Sequence, residues 1–240
     1  MIKQNPIFRS LVSVSFLLMC WLSSAVAATN IPAQIQQKAV PVIRQQAQQL
    51  FGSGATIFAG NPKGVVTLVE FYDYQCEHCR HMAPAIAELI NKNTDLRVVF
   101  KPLNFLGYYS TQAALAAIAA YHVDPTKFLA FHKILMGVPL NSSDAIKHAA
   151  EAAGYDYSKI QKAIQSGQYT NSISANQKLA QSILKPSLGY IATPAVIVAA
   201  SDTKSDSTAP ITFIVGVATT EQQRLQQAID QVAAAAHDSK

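Results

Sequence analysis

The stretch "VVTLVEFYDYQCEHCRHMAPAIAELI", Val65 to Ile90, decides the fold because its pattern changes midway. Val65 to Tyr74 is a continuous β-branched and aromatic run, the mark of a strand buried on both faces. From Arg80 onward the residues read as a helix, with Pro84 inside it. At the junction sit Cys76 and Cys79, with only Glu77 and His78 between them. "LRVVFKPL", Leu96 to Leu103, predicts a second strand. Strand, helix and strand at these lengths make a βαβ unit, hence a parallel pair with a right-handed crossover.

Working outward, residues 110–185 hold five segments of helical composition. Ser142 or Ser143 suits an N-cap there, and Gly154 and Gly167 suit helix stops. "TPAVIVAA" and "ITFIVGV" then predict two strands around the polar loop "SDTKSDSTAP", and a last helix closes the chain. On the other side, "FGSGATIFAGNPKG" (Phe51 to Gly64) reads as linker and turn from its glycines and proline. Ahead of it, Ile35, Ala39, Val42, Ile43, Ala47 and Leu50 recur at helical spacing as a narrow apolar stripe, and Pro41 is expected to kink this helix or start another. Half of the 240 residues are hydrophobic and 14% are charged, which suits one substantial domain with an appendage and excludes wholesale disorder.

Residues 1–27 have the form of a cleaved secretory signal. Lys3 and Arg9 precede the apolar run Leu11 to Leu22, and Ala25 and Ala27 stand at the −3 and −1 positions of a cut before Ala28. The run is shorter than the ~20 residues of a spanning helix. Cys20 lies within it behind Met19, which is not the small residue that a lipid-acylated cysteine needs in front of it. Removing the signal leaves Cys76 and Cys79 as the cysteines of the mature chain and lowers the formal charge from +5 to +3. That small surplus, without a Lys/Arg cluster, argues against nucleic acid or a membrane surface as partner.

Two thiols so close could hold metal, anchor haem, staple a loop or exchange electrons. A structural zinc site wants four ligands, and no second cysteine pair exists while His122, His132, His148 and His237 are scattered over the helices. Covalent haem needs His directly after the second cysteine, where Arg80 stands. A loop of two residues is a poor staple, since loop-closure stabilisation grows with the logarithm of loop length. Redox exchange fits, because a strand-to-helix junction puts Cys76 near a helix N-terminus, whose free N–H groups and dipole favour a thiolate. A protonated His78 adds positive charge, and Glu77 opposes it. CxxC thiols in such settings ionise at ~3.5 to 7 against ~8.5 for a free cysteine. Stabilising the reduced form in this way makes the disulfide more oxidising. Glu70, alone in an apolar strand, is either an exposed edge residue or a buried acid of raised pKa suited to accept the Cys79 proton.

"LVEFYDYQCEHC", the helical block and "TPAVIV" together resemble the DsbA-type thiol:disulfide exchange proteins of the thioredoxin superfamily, from about Gly64 to the C-terminus. The resemblance implies an α/β thioredoxin fold over residues 61–240 with a helical insertion at about 110–185 and no cofactor. It implies Cys76 as the exposed nucleophile, Cys79 as the resolving thiol, His78 as pKa tuner and Glu70 as buried acid, with Lys101 a weakly aligned partner for Glu70. It also implies a cis Thr193–Pro194 bond whose backbone receives an extended client segment by strand addition. The expected partners are exported proteins with thiols or disulfides and a DsbB-like or DsbD-like membrane protein, in the periplasm. Glu77 stands where well-known oxidases of the family have Pro, and Thr193 where they often have Val; threonine there is similar to the dimeric isomerases DsbC and DsbG. The arm of residues 28–60 either mediates a homodimer, as extensions of isomerase-like members do, or packs on its own domain.

Overall fold

The computed structural model describes residues 33–52, 57–216 and 221–238, so the signal sequence and Cys20 lie outside the described residues. Its centre is strand β2, Val66–Tyr72, every residue of which is buried. Four more strands join it: β1 (Ile57–Gly60), β3 (Leu96–Pro102), β4 (Ala195–Ala200) and β5 (Ile211–Val215). The sheet order is β1-β3-β2-β4-β5. Strands β2 and β3 run parallel, and the other three neighbouring pairs are antiparallel. Helix α3 (Glu77–Lys92) makes the crossover from β2 to β3 and carries Pro84 inside it.

The linker expected between Phe51 and Gly64 holds strand β1, which pairs antiparallel with β3 from Ile57↔Phe100 to Gly60↔Arg97. Four residues next to glycines carry almost no strand periodicity, and the pairing supplies what local composition lacks. Between β3 and β4 lie α4 (Tyr108–Val123), α5 (Phe128–Gly137), α6 (Ser143–Ala152), α7 (Tyr157–Gln165) and α8 (Thr170–Leu188). Helix α4 is apolar all round, with Ala113, Ala114, Ala116, Ala117 and Ile118 buried, as befits the middle of a helical layer. The Ser142 hydroxyl caps α6 by accepting from Ala145 N. Gly154 and Gly167 adopt φ of +83° and +73° at helix ends, a conformation that costs glycine least. Helix α9 (Glu221–Asp238) closes the chain.

The arm forms α1 (Ala33–Gln45) and α2 (Ala47–Phe51). Pro41 sits inside α1, and the break falls five residues later at Gln46. The apolar stripe turns inward: Ala39, Ile43, Ala47, Leu50 and Phe51 are buried with Val69, Phe71, Ile183 and Leu184 of the same chain. Polar contacts fix the arm as well. The Gln36 amide donates to Ile211 O (2.7 Å) and accepts from Phe213 N (3.3 Å), and Arg44 Nη2 donates to Ala209 O (2.7 Å).

The pleat of β2 divides the interior in two. Leu68, Tyr72, Val98 and Phe100 join the cluster with α3, α9 and the helical insertion. Val69, Phe71 and Val99 join the cluster with α1, α2 and α8.

Candidate active site

Cys76 is the N-cap of α3, with φ −75° and ψ 113°, so its side chain lies over the unpaired N–H groups of the first turn. Cys79 N donates to the Cys76 sulfur at 3.4 Å, and as a thiol Cys76 donates to Thr193 O at 3.4 Å. The Thr193–Pro194 bond is cis. Both cysteines are free thiols. Cys76 was expected to be an exposed nucleophile, yet it is only 7% exposed against 0% for Cys79, so it is the more accessible of two buried cysteines.

The two sulfurs differ far more in charge. The Cys76 thiol is held down at about 6, first by the hydrogen bond from the Cys79 thiol, against the cost of burial, and further by Thr193 and the backbone N–H groups of Cys79 and His78. Burial pushes the Cys79 thiol far above the ordinary range, reinforced by its own hydrogen bond to Cys76 and by the charges of Cys76 and Glu70. One sulfur is therefore an anion at neutral pH and its neighbour a proton carrier.

Glu70 is buried, the interior alternative of the sequence reading. Its pKa is pushed up to about 8, by burial first and then by the charge on Cys76. Neither of its oxygens takes a hydrogen bond. Lys101 does not pair with it. In the β2–β3 register Glu70 stands opposite Phe100, and Phe71 opposite Lys101, so the lysine faces the other side of the sheet. There it is 7% exposed, and burial lowers its pKa to about 8. A shift of one position was enough to send the side chain to the wrong layer.

His78 and Glu77 are both exposed. The backbone N–H of His78 is one of the donors that hold the Cys76 thiol down. Glu77 lies 3.6 Å from His81, one turn along α3.

Asp73 and its neighbours escaped the sequence reading. Asp73 is fully buried at the end of β2, where it accepts from Gln75 N (2.9 Å), Ser110 Oγ (2.6 Å) and Leu106 N (3.2 Å). Burial pushes its carboxyl up, and these donors draw it back. Gln75 Nε2 donates to Leu140 O at 3.3 Å, and Arg80 Nε to Met136 O at 2.9 Å. The residues flanking the cysteine pair thus fasten it to the helical insertion. A single acid directly after an apolar strand was the one available signal for Asp73.

A family model described as thioredoxin matches residues 52–214. Among solved structures, a thioredoxin-like oxidoreductase from Silicibacter pomeroyi DSS-3 is 30% identical, with a TM-score of 0.64, covering 78% of this chain and 97% of that one. A periplasmic thioredoxin-like protein from Salmonella enterica serovar Typhimurium is 27% identical, with a TM-score of 0.59 over 80% and 97% of the two chains. The thiol-disulfide exchange protein α-DsbA2 from Wolbachia pipientis shares the fold at 24% identity, with a TM-score of 0.64 over 84% and 99%. Among curated proteins, 94 residues are 32% identical to Na(+)/H(+) antiporter NhaA 3 of Salinispora tropica. That match spans 38% of this chain but only 14% of the antiporter, so no transport activity carries over. Among the described residues no helix is long and apolar enough to cross a membrane.

Proposed function

The chain belongs to the thioredoxin family of thiol:disulfide oxidoreductases, and on that footing we propose that it is a periplasmic dithiol oxidase that introduces disulfide bonds into exported proteins through Cys76 and Cys79. The observation that carries this reading is the asymmetry of the pair, one sulfur ionised near 6 and the other held protonated.

In the oxidising direction a client thiolate attacks Cys76 Sγ of the enzyme disulfide. The Cys76–Cys79 bond breaks, and its electron pair leaves on Cys79. Because Cys79 holds a proton so tightly, its thiolate is protonated at once, and Glu70, neutral below about 8, is the acid beside it. A second client thiolate then attacks the client sulfur of the mixed disulfide and expels Cys76 as a thiolate. The client loses two electrons and the enzyme gains them. Cys76 is the better leaving group because its anion is stabilised, and this drives the exchange toward an oxidised client.

Thr193 and cis-Pro194 border the attacked sulfur and supply the backbone edge on which an extended client segment would lie. A periplasmic setting accords with the predicted signal sequence and with the periplasmic relative from Salmonella. Exported proteins are then the clients, and a DsbB-like membrane protein the partner that restores the disulfide. The alternative, a dimeric isomerase or reductase of the DsbC/DsbG type reset by a DsbD-like partner, rests on Thr193. The arm lends it little, since α1 and α2 turn their apolar stripe toward their own domain. Trapping thiols in growing cells by alkylation separates the two readings: a largely oxidised Cys76–Cys79 pair is expected, and a largely reduced pair favours the isomerase. A biological effect that survives Cys76→Ser would point instead to a non-enzymatic scaffold.

A further inference from the structure

Behind the cysteines, on the face of the sheet that carries Glu70, a chain of buried polar groups runs into the helical insertion. Glu70, Tyr72 and Tyr74 alternate along β2 and the turn that follows, and all three are fully buried. The Tyr72 hydroxyl donates to the Tyr74 hydroxyl at 3.3 Å, and the Tyr74 hydroxyl lies 3.0 Å from Nδ1 of His132 on α5. The rings interlock, with Tyr72 5.1 Å from Tyr74 and from His132, and Phe100 4.8 Å from His132. His132 Nε2 is buried without a partner.

The direction of these bonds follows from donor counting. Tyr74 already accepts from Tyr72, so its single proton needs an acceptor, and His132 Nδ1 is the one within reach. Burial keeps the imidazole neutral, with a pKa near 3. A neutral ring with its proton on Nε2 offers a lone pair at Nδ1. Both hydroxyl protons are then committed along the chain, that of Tyr72 to Tyr74 and that of Tyr74 to His132, and neither is given to Glu70, whose oxygens take no hydrogen bond.

We propose that His132, acting through Tyr74, is a positioning residue that orients the Tyr72–Tyr74 hydroxyl pair so that Glu70 keeps its proton for the Cys79 step. This rests on Glu70 serving as the proton donor of the proposed exchange. The titratable groups coupled to Glu70 are Tyr72 on its own strand, Tyr74 in the turn after it, and Cys76 and Cys79 at the start of α3, with His132 behind them on α5 and Tyr155 near Tyr74. Beside it, β3 and β4 contribute Phe100 and Val196, and α9 packs Leu225, Ala228 and Ile229 into the same cluster. The charge on Cys76 works in the same sense, favouring the protonated Glu70, and Lys101 lies on the other side of the sheet.

The test is an NMR titration of the reduced full-length protein with isotope-labelled glutamate carboxyls, the Glu70 signal identified by its loss in Glu70→Gln. The wild-type midpoint is expected near 8. Tyr74→Phe, which keeps the ring volume, frees the Tyr72 hydroxyl to turn toward the carboxylate. It should lower the midpoint by about one pH unit, tenfold in the ionisation constant. His132→Leu should do the same, and His132→Asn, whose amide oxygen can take the place of Nδ1, should restore the wild-type value. A wild-type midpoint in Tyr74→Phe would overturn the inference, as would a fall in His132→Asn equal to that in His132→Leu. A wild-type protein already titrating at the ordinary 4.5 would instead sink the proton-donor reading of Glu70 on which the inference stands.

Discussion

The two faces of one sheet are built to opposite rules. On the face turned to α1, α2 and α8, β2 and β3 present Val69, Phe71 and Val99, and the arm seals them with its own apolar stripe. Polar atoms there mostly find fixed partners: Gln36 spans Ile211 O and Phe213 N, and Arg97 Nη2 donates to Phe51 O at the end of α2. On the face turned to α3 and the helical insertion, the same strand buries Glu70, Tyr72 and Cys79's surroundings with fewer bonds than donors and acceptors. Desolvation is the common cause of the displaced pKa values of Glu70, Cys79 and His132. The back layer is mainly a stabilising one, with Lys101 its one described group of strongly displaced pKa, while the front layer gathers Glu70, Cys79 and His132, whose protons are displaced from their ordinary affinities beside the cysteine pair.

The largest effect should separate the faces by pH. Glu70 has a folded pKa raised from 4.5 to about 8. The unfolded carboxyl gives up its proton first, so stability fully present below 4.5 is lost progressively as pH rises to about 8. A displacement of that size corresponds to about 5 kcal/mol. Glu70→Gln should abolish the loss, seen as a urea midpoint that no longer falls between those limits. His132 works at the other end: its folded pKa is depressed from 6.5 to about 3, so stability present above 6.5 is lost as pH falls toward 3. Equal pH slopes in wild type and Glu70→Gln would break the contrast between the layers.

A mutation on the arm should act on stability alone. Ile43 is fully buried against the back of the sheet, and Ile43→Ala should cost about 2 to 5 kcal/mol in denaturant unfolding. The Cys76 titration should stay in place. A shift of the thiol midpoint in Ile43→Ala would show that the layers are coupled.

The smallest effect belongs to the site itself. Thr193 is one of the groups that hold the Cys76 thiol down. Thr193→Val keeps the shape and removes the hydroxyl, so the Cys76 midpoint should rise by up to about one unit, or about 1.4 kcal/mol. The disulfide should become correspondingly less oxidising by equilibration with glutathione. An unmoved midpoint would assign the low pKa wholly to Cys79 and the helix N-terminus.

Much of this was legible in the chain because its signals are local. The apolar run of β2, the helix after it and the CxxC pair at their junction each reveal themselves within ten residues. What was not legible depends on register and distance. Strand β1 is four residues among glycines, and only its pairing with β3 defines it. The Glu70–Lys101 pairing failed because one position along β3 reverses the face. The arm's stripe has the same width whether it meets a second copy or its own sheet. His132 looked like one scattered histidine, since its bond to Tyr74 spans 58 positions of sequence.

The most direct measurement is the ultraviolet thiolate titration of the reduced mature protein, with Cys79→Ser to isolate the Cys76 signal and the intact dithiol as reference. In the dithiol the account predicts a first ionisation near 6, assigned to Cys76, and a Cys79 thiol that stays protonated across the accessible range. Cys79→Ser should raise that midpoint partway by replacing the strongest donor to the sulfur. A first ionisation near 9, the ordinary value for a cysteine, would contradict the account.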